Sequence, residues 1–311
     1  DMYGLFYDTP NLSQLDLSSF DVSKVTDMRQ MFRKMNIKNI DLRNFKTSSL
    51  VLMNFMFAEN YNLTSIDISM FDTYKVTDMY GLFYECESLE TANLANLNNA
   101  ALKDMSYIFA NCFNLKNINL TGFQTPNVNN MSGVFADCYS LVSVDISSFD
   151  TNNVIIMDEF FFKCFNLTGI KFGQLNTCSV QNFEKFFFGC ISLTSLDLSF
   201  FDTSTAKNMQ NMFGYCEKLQ YLNISSFNTK NVEIMAYMFS DCYSLVSLNL
   251  SHFDTSNVIY IIGMFLRCYN LKDIILPEFK NIFPQDFSGV FKECKQLKYI
   301  DLSTFHSTKP D

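Results

Sequence analysis

Tryptophan is absent from this 311-residue chain, and histidine occurs only twice, as His252 and His306. Neither histidine has a recurring serine or cysteine partner, so the nucleophile–base pairs of covalent catalysis find no members here. Glycine is scarce, with ten residues in all, and none of them builds a G-x-G-x-x-G or phosphate-cradling loop. Runs of lysine or arginine are missing too. With a net charge of −9, a surface that tracks nucleic-acid phosphates is not expected. The longest apolar run, "VIYIIGMFL" at 258–266, falls far short of the roughly 18 residues that would suggest a membrane span. The opening "DMYGLFYDTP" lacks the basic start and apolar stretch of a signal peptide. These absences point away from an enzyme, a nucleic-acid binder and direct membrane insertion of this segment, and no cofactor is implied.

What is present is order of one kind. Hydrophobic residues make up 48% of the chain and charged residues only 18%, which supplies a continuous core and argues against disorder. Phenylalanine alone contributes 34 residues, and they recur on a fixed step. Phe20, Phe45, Phe71, Leu97, Phe123, Phe149, Leu175, Phe201, Phe227, Phe253, Phe279 and Phe305 form one column, in which every interval is 26 except a first of 25. A second column runs from Phe57 through Phe83 and Phe109 to Phe291, and a third holds Cys86 and every cysteine 26 residues on, as far as Cys294. The missing residue of the first interval lies within "FRKMNIKNI" (32–40), where the cysteine column is also lost.

Each unit reads C-x-x-L-x-x-L-x-L-S-x-F-D-T-x-x-V-x-x-M-x-x-M-F-x-x. Its first half, as in "LTSLDLSFF" (193–201), alternates around Leu196 and Leu198, which predicts a short strand with one face buried. The second half, as in "VTDMYGLF" (76–83), places Val76, Met79, Leu82 and Phe83 at i, i+3, i+6 and i+7. That spacing predicts a two-turn helix with Thr77 or Thr73 as N-cap. A single unit cannot bury its own apolar face, and stacking neighbours does. The expected fold is therefore an α/β repeat solenoid, leucine-rich-repeat-like, of about twelve 26-residue turns. Short parallel strands would line one face and short helices the other, in a single solenoid over 1–311. Asp1-Met2 align with Asp27-Met28, and "FHSTKPD" stops where a further unit would continue, so the segment is expected to be a fragment of a longer protein.

"MFGYCEKLQYLNISSFNTKNVEIM" (212–235) and "MFSDCYSLVSLNLSHFDTSNVIYI" (238–261) carry the repeat nearly complete. This pattern resembles the 26-residue repeat of BspA-like leucine-rich-repeat bacterial surface proteins, as in mycoplasma-type surface lipoproteins, and the likeness covers essentially the whole chain. It departs from the pattern at 89–105, 170–183 and 274–287. The resemblance implies a solenoid displayed outside the cell and used for adhesion or partner binding.

Three sets of columns bear chemistry. The cysteine column could be a buried thiol ladder, a disulfide series or a metal device. Its uniform spacing, its place three residues after a core Phe and its odd membership favour the buried ladder. Cys178 lies outside the column, in a turn, and is the candidate reactive thiol. A second column of Asp21, Asp72, Asp150, Asp202 and Asp254 precedes Thr or Val and is expected to make turns, with calcium binding as the alternative. The strand's outward residues form the candidate binding face. Asp16, Asp41, Asp67, Asp145, Asp197 and Asp301 share a column with Asn93, Asn119, Asn223 and Asn249, flanked by serines such as Ser65 and Ser195. This is either a recognition surface or a solvated face of small residues. Tyr221, Tyr299, Lys171 and Ile275 break the column chemistry and mark the places where recognition is expected. The candidate site residues are thus Asp145, Lys171, Asp197, Tyr221, Asn223, Asn249 and Tyr299. The "FFF" runs at 160–162 and 186–188 would place two rings of each three in the core and leave Phe162 and Phe188 exposed. Seven N-x-S/T sequons, Asn119 and Asn249 among them, follow from the repeat grammar.

The expected function is non-enzymatic: an extracellular or cell-surface module that binds a host or neighbouring-cell protein or matrix component through the polar sheet face. The alternative is a spacer that displays another domain and has no ligand of its own.

Overall fold

A computed structural model describes residues 1–12, 14–279 and 287–303. Phe305, His306 and part of the departure at 274–287 lie outside them. The chain divides into two compact units, Asp1–Val154 with Gly169–Leu175, and Ile155–Thr168 with Asn176–Asp311.

The alternating half of each repeat forms the expected strand, three residues long. Unit 1 holds β1 (Ser65–Asp67), β2 (Thr91–Asn93), β3 (Asn117–Asn119), β4 (Ser143–Asp145) and β5 (Gly169–Lys171). Unit 2 holds β6 (Ser195–Asp197), β7 (Tyr221–Asn223), β8 (Ser247–Asn249) and β9 (Asp273–Ile275). Every pairing is parallel and in register with the repeat, as Ser65↔Thr91 and Ser195↔Tyr221 show. In a three-residue strand only the middle side chain points inward, and Ile66, Val144, Leu196 and Leu248 are buried there. Among the described residues nine strands form, five in unit 1 and four in unit 2, so fewer turns bear a strand than the twelve the repeat count led us to expect. Residues 14–17, 39–42 and 299–301 keep the sequence pattern but form no strand.

The expected helices are not there: among the described residues no α-helix forms. The half of each unit read as helical is a run of tight turns. In the coil around Phe83, the Leu82 N–H bonds the Met79 carbonyl and the Cys86 N–H bonds the Phe83 carbonyl. The third residue of each of these turns has positive φ, +57° at Gly81 and +59° at Glu85, the backbone signature of a type II turn. The alternate N–H groups then leave the coil altogether. Those of Met79, Gly81, Phe83 and Glu85 bond the carbonyls of Asp104, Ser106, Ile108 and Ala110, one coil on. A helix would close these bonds within itself. Here they hold one coil to the next, which is what a stacked fold requires of its buried backbone. Thr73 and Thr77 accordingly cap nothing: the Thr73 hydroxyl donates to the Asn98 carbonyl at 3.1 Å, and Thr77 N–H bonds the Val51 carbonyl of the preceding coil.

Stacked side chains complete the core. In unit 1, Phe32, Phe57, Phe83, Phe109 and Phe135 lie ring on ring, with centroids 5.3–5.9 Å apart. In unit 2, Phe161, Phe187, Phe213, Phe239, Phe265 and Phe291 repeat this at 5.4–5.8 Å. A threonine ladder runs beside them: Thr229 Oγ1 donates to the Asp254 carbonyl at 2.9 Å and accepts the Asp254 N–H at 2.8 Å.

Candidate functional site

The cysteine column is the buried ladder expected of it, and the structure adds what the thiols do. Cys86, Cys112, Cys138, Cys190, Cys216, Cys242 and Cys268 are buried, and each donates its S–H to a phenylalanine carbonyl 29 residues earlier, at 3.1–3.2 Å. Phe83 shows why. Its carbonyl already accepts the Cys86 N–H, and the Cys112 thiol satisfies its second lone pair. Burial pushes the Cys86 and Cys216 thiols up to about 12, so they stay protonated donors. Where the column begins, Asn60 takes the cysteine's place. Fully buried, it accepts the N–H groups of Met35 and Asn36 and donates to the carbonyls of Phe32 and Phe57. Its bond to the Phe32 carbonyl stands where a thiol's would, while the Phe57 carbonyl that it also reaches accepts the Cys86 thiol as well. Cys178 is half-buried, its Sγ 3.8 Å from the Ser179 hydroxyl.

The acidic columns make turns. The Oδ1 atoms of Asp72, Asp150, Asp202 and Asp254 each accept the N–H two residues on, at 2.9–3.1 Å, as expected. The outward strand column does the same, which the sequence reading missed. Asp67, Asp145, Asp197, Asn223 and Asn249 accept the N–H of Ser69, Ser147, Ser199, Ser225 and Ser251. A third set, including Asp78, Asp104, Asn182 and Asn208, shapes the far side of the coil in the same way. Asx residues thus turn the chain at three positions per coil, and on the candidate face each has one oxygen or amide engaged at home. Aspartate and asparagine alternate in these columns because either carbonyl oxygen serves.

The candidate residues fall in both units. In unit 1, Asp145 and Lys171 face each other across β4 and β5 and form an ion pair of 2.8 Å. The Lys171 ammonium, with Ser147, holds the Asp145 carboxyl at about 2. In unit 2, Asp197 and Asn223 are register partners, and hydrogen bonds from Ser199 hold the Asp197 carboxyl below the usual range. Tyr221 stands on the same strand with 57% of its surface exposed, beside Ser195. Asn249 is exposed on β8, paired in register with Ile275 of β9. Tyr299, 75% exposed, shares with Ile275, Lys272 and Lys298 a hollow of about 710 Å³.

Phe162 and Phe188 are not the exposed spots expected of them. They are half-buried because they stack on one another at 5.3 Å, with the Lys163 ammonium over the Phe162 ring. Their neighbours Phe160, Phe161, Phe186 and Phe187 are buried, as the runs led us to expect. Among the described phenylalanines the exposed one is Phe200, at 43%. Its signal was the doubled phenylalanine of "LSFFDT", since only Phe201 falls in the core column. His252 places Nε2 3.1 Å from the Ile224 carbonyl, where it can only donate. Among the described residues no group of three metal-ligating side chains converges, and no helix is long and apolar enough to cross a membrane.

The repeat that builds this face also identifies it. A family profile described as "Mycoplasma protein of unknown function, DUF285" matches residues 1–118, 103–222 and 183–305. The chain belongs to the DUF285 family. The match bears out the resemblance to BspA-like repeat proteins. None of the curated proteins matches the chain. Among solved structures, it is similar to a leucine-rich repeat protein from Bacteroides ovatus, at 17% identity over 88% of this chain and 78% of that one, with a TM-score of 0.31. A leucine rich cell surface protein from Faecalibacterium prausnitzii gives 15% identity over 81% and 84%, also at a TM-score of 0.31. TLR13, in a complex with ssRNA13, gives 16% identity over 88% of this chain and 48% of that one, at a TM-score of 0.27.

Proposed function

We propose that this DUF285 chain is a non-enzymatic, cell-surface interaction module that holds a host or neighbouring-cell protein, or a matrix component, on the sheet face of unit 2. The observation that carries the reading is Tyr221. Repeat columns put small polar residues on this face, and Tyr221 projects from them with more than half its surface free. Exposed tyrosines set on a rigid strand are preferred anchors of protein interfaces, because they bring contact area at low entropy cost. Asp197, Asn223 and Asn249 give the polar rim. Tyr299 and Ile275 offer a second apolar point in the same unit.

The test is adhesion of purified chain to host cells and immobilised matrix proteins. Tyr221→Ala is expected to weaken binding by about 2 kcal/mol, roughly thirtyfold, with the melting temperature unchanged. Asp197→Asn is the proper partner variant, since the amide oxygen keeps the Ser199 turn while the charge is lost. Asp197→Ala would instead remove that turn and confuse folding with binding. Normal adhesion by Tyr221→Ala, together with impaired function on shortening the solenoid, would replace this reading with the spacer.

A further inference from the structure

We infer that unit 1 carries a second binding face of different chemistry, which takes a neutral glycan. A shallow trough of about 690 Å³ lies over β1 to β4, and Thr91, Asn93, Asn117 and Asn119 line its centre. Two of its three charged side chains, Lys116 and Asp145, are held in ion pairs, and Asp67 keeps its negative charge. At its edge Lys116 pairs with Glu90 at 3.1 Å, and Asp145 pairs with Lys171. Asp67 accepts the Ser69 N–H on one oxygen and the Asn93 amide on the other. No cation is left over to hold a phosphate, sulfate or carboxylate.

Hydrogen-bonding capacity is left over. The Asn117 carboxamide and the Thr91 hydroxyl have no hydrogen bond within the described residues, and Asn119 uses only Oδ1, which accepts the Thr121 N–H at 3.2 Å. Their neighbours in the same rows are committed: the Ser65 hydroxyl donates to Asn39, and Asn93 donates to Asp67. The free groups therefore sit together on β2 and β3: Thr91 and Asn117 are register partners one strand spacing of about 4.8 Å apart, and Asn119 lies two residues along β3. A carboxamide presents an acceptor and two donors side by side, which is the complement of two adjacent hydroxyls. The two free carboxamides stand on one strand, roughly 6.6 Å apart, and present these groups to an uncharged chain of sugar rings. A protein partner is the poorer fit, because no aromatic side chain lines the trough to anchor it and its apolar residues, Ile40, Ile66, Ile118 and Val144, are buried or half-buried between the polar ones.

The inference stands apart from the protein-partner reading, and one binding experiment on the full chain separates them. The probes are immobilised uncharged oligosaccharides of hexose and of N-acetylhexosamine, their sialylated and sulfated counterparts, and an extended Gly/Ser peptide, each at low and high salt. An uncharged oligosaccharide should be retained, with affinity insensitive to salt. The Asn117→Ala/Asn119→Ala pair should weaken it at least about tenfold, and Tyr221→Ala should leave it unchanged. Asn117→Asp/Asn119→Asp, nearly isosteric, serves if the alanine pair melts early, and it too should weaken binding. Retention of no uncharged oligosaccharide, preference for the charged glycans or the peptide, or wild-type binding by both paired variants would overturn the proposal.

Discussion

At the scale of single residues, the side chains that look reactive are mostly engaged in joining one coil to the next. The thiols of the cysteine column could be placed in the core from sequence, because each lies three residues after a core phenylalanine. Their hydrogen bond to a carbonyl one coil back could not, since it depends on a turn the sequence did not reveal. That bond has a consequence in alkali. Cys86 and Cys216 are held at about 12 against an ordinary value of 9.0, so above that value the unfolded chain releases protons that the native chain retains. The native state binds more protons, and stability falls as pH rises. Thermal melts should show full stability below about pH 9 and a progressive loss from there towards 12. A Cys216→Ala variant, lacking one such thiol, should lose less over that range. The same melts with a flat profile would show that the thiols do not stay protonated in the fold.

At the scale of the element, strands were legible and helices were misread, for one physical reason. Apolar residues at i, i+3, i+6 and i+7 return to one side in a helix, but they also do so in successive three-residue turns. Period alone does not separate the two. The better signal was the residue at the third turn position, which is Gly4, Gly81, Gly133, Gly263 or Gly289 in five coils, all with positive φ. Glycine is a poor choice inside a short helix and the natural one at a left-handed position. Gly81 has a second duty as well. A Cβ built there would lie 2.6 Å from the ring of Phe55, which covers it from the previous coil. Gly81→Ala is therefore expected to cost more than about 1 kcal/mol, through backbone strain and displacement of Phe55, and chemical denaturation would measure it. A substitution to alanine at Glu85, which already holds φ near +59° with a side chain, should cost far less.

At the scale of the molecule, a repeat makes its exceptions informative. The 26-residue step and the BspA-like pattern were plain in the chain, because stacking demands that core residues recur in register. The candidate face was legible only in part. Tyr221 and Tyr299 stood out by breaking a column, and both are exposed. Asp197, Asn223 and Asn249 looked like recognition residues and are also turn makers, each accepting the N–H two residues on. The account rests on the regular columns being architecture in both units, and counting thiols tests this most directly. With an aromatic disulfide reagent and no reductant, at most two thiols of the native chain, Cys178 and half-buried Cys294, should react promptly, and all ten should react once the chain is denatured. Prompt reaction of more than two in the native chain, or fewer than ten in the denatured one, would contradict the ladder and return the cysteines to chemistry.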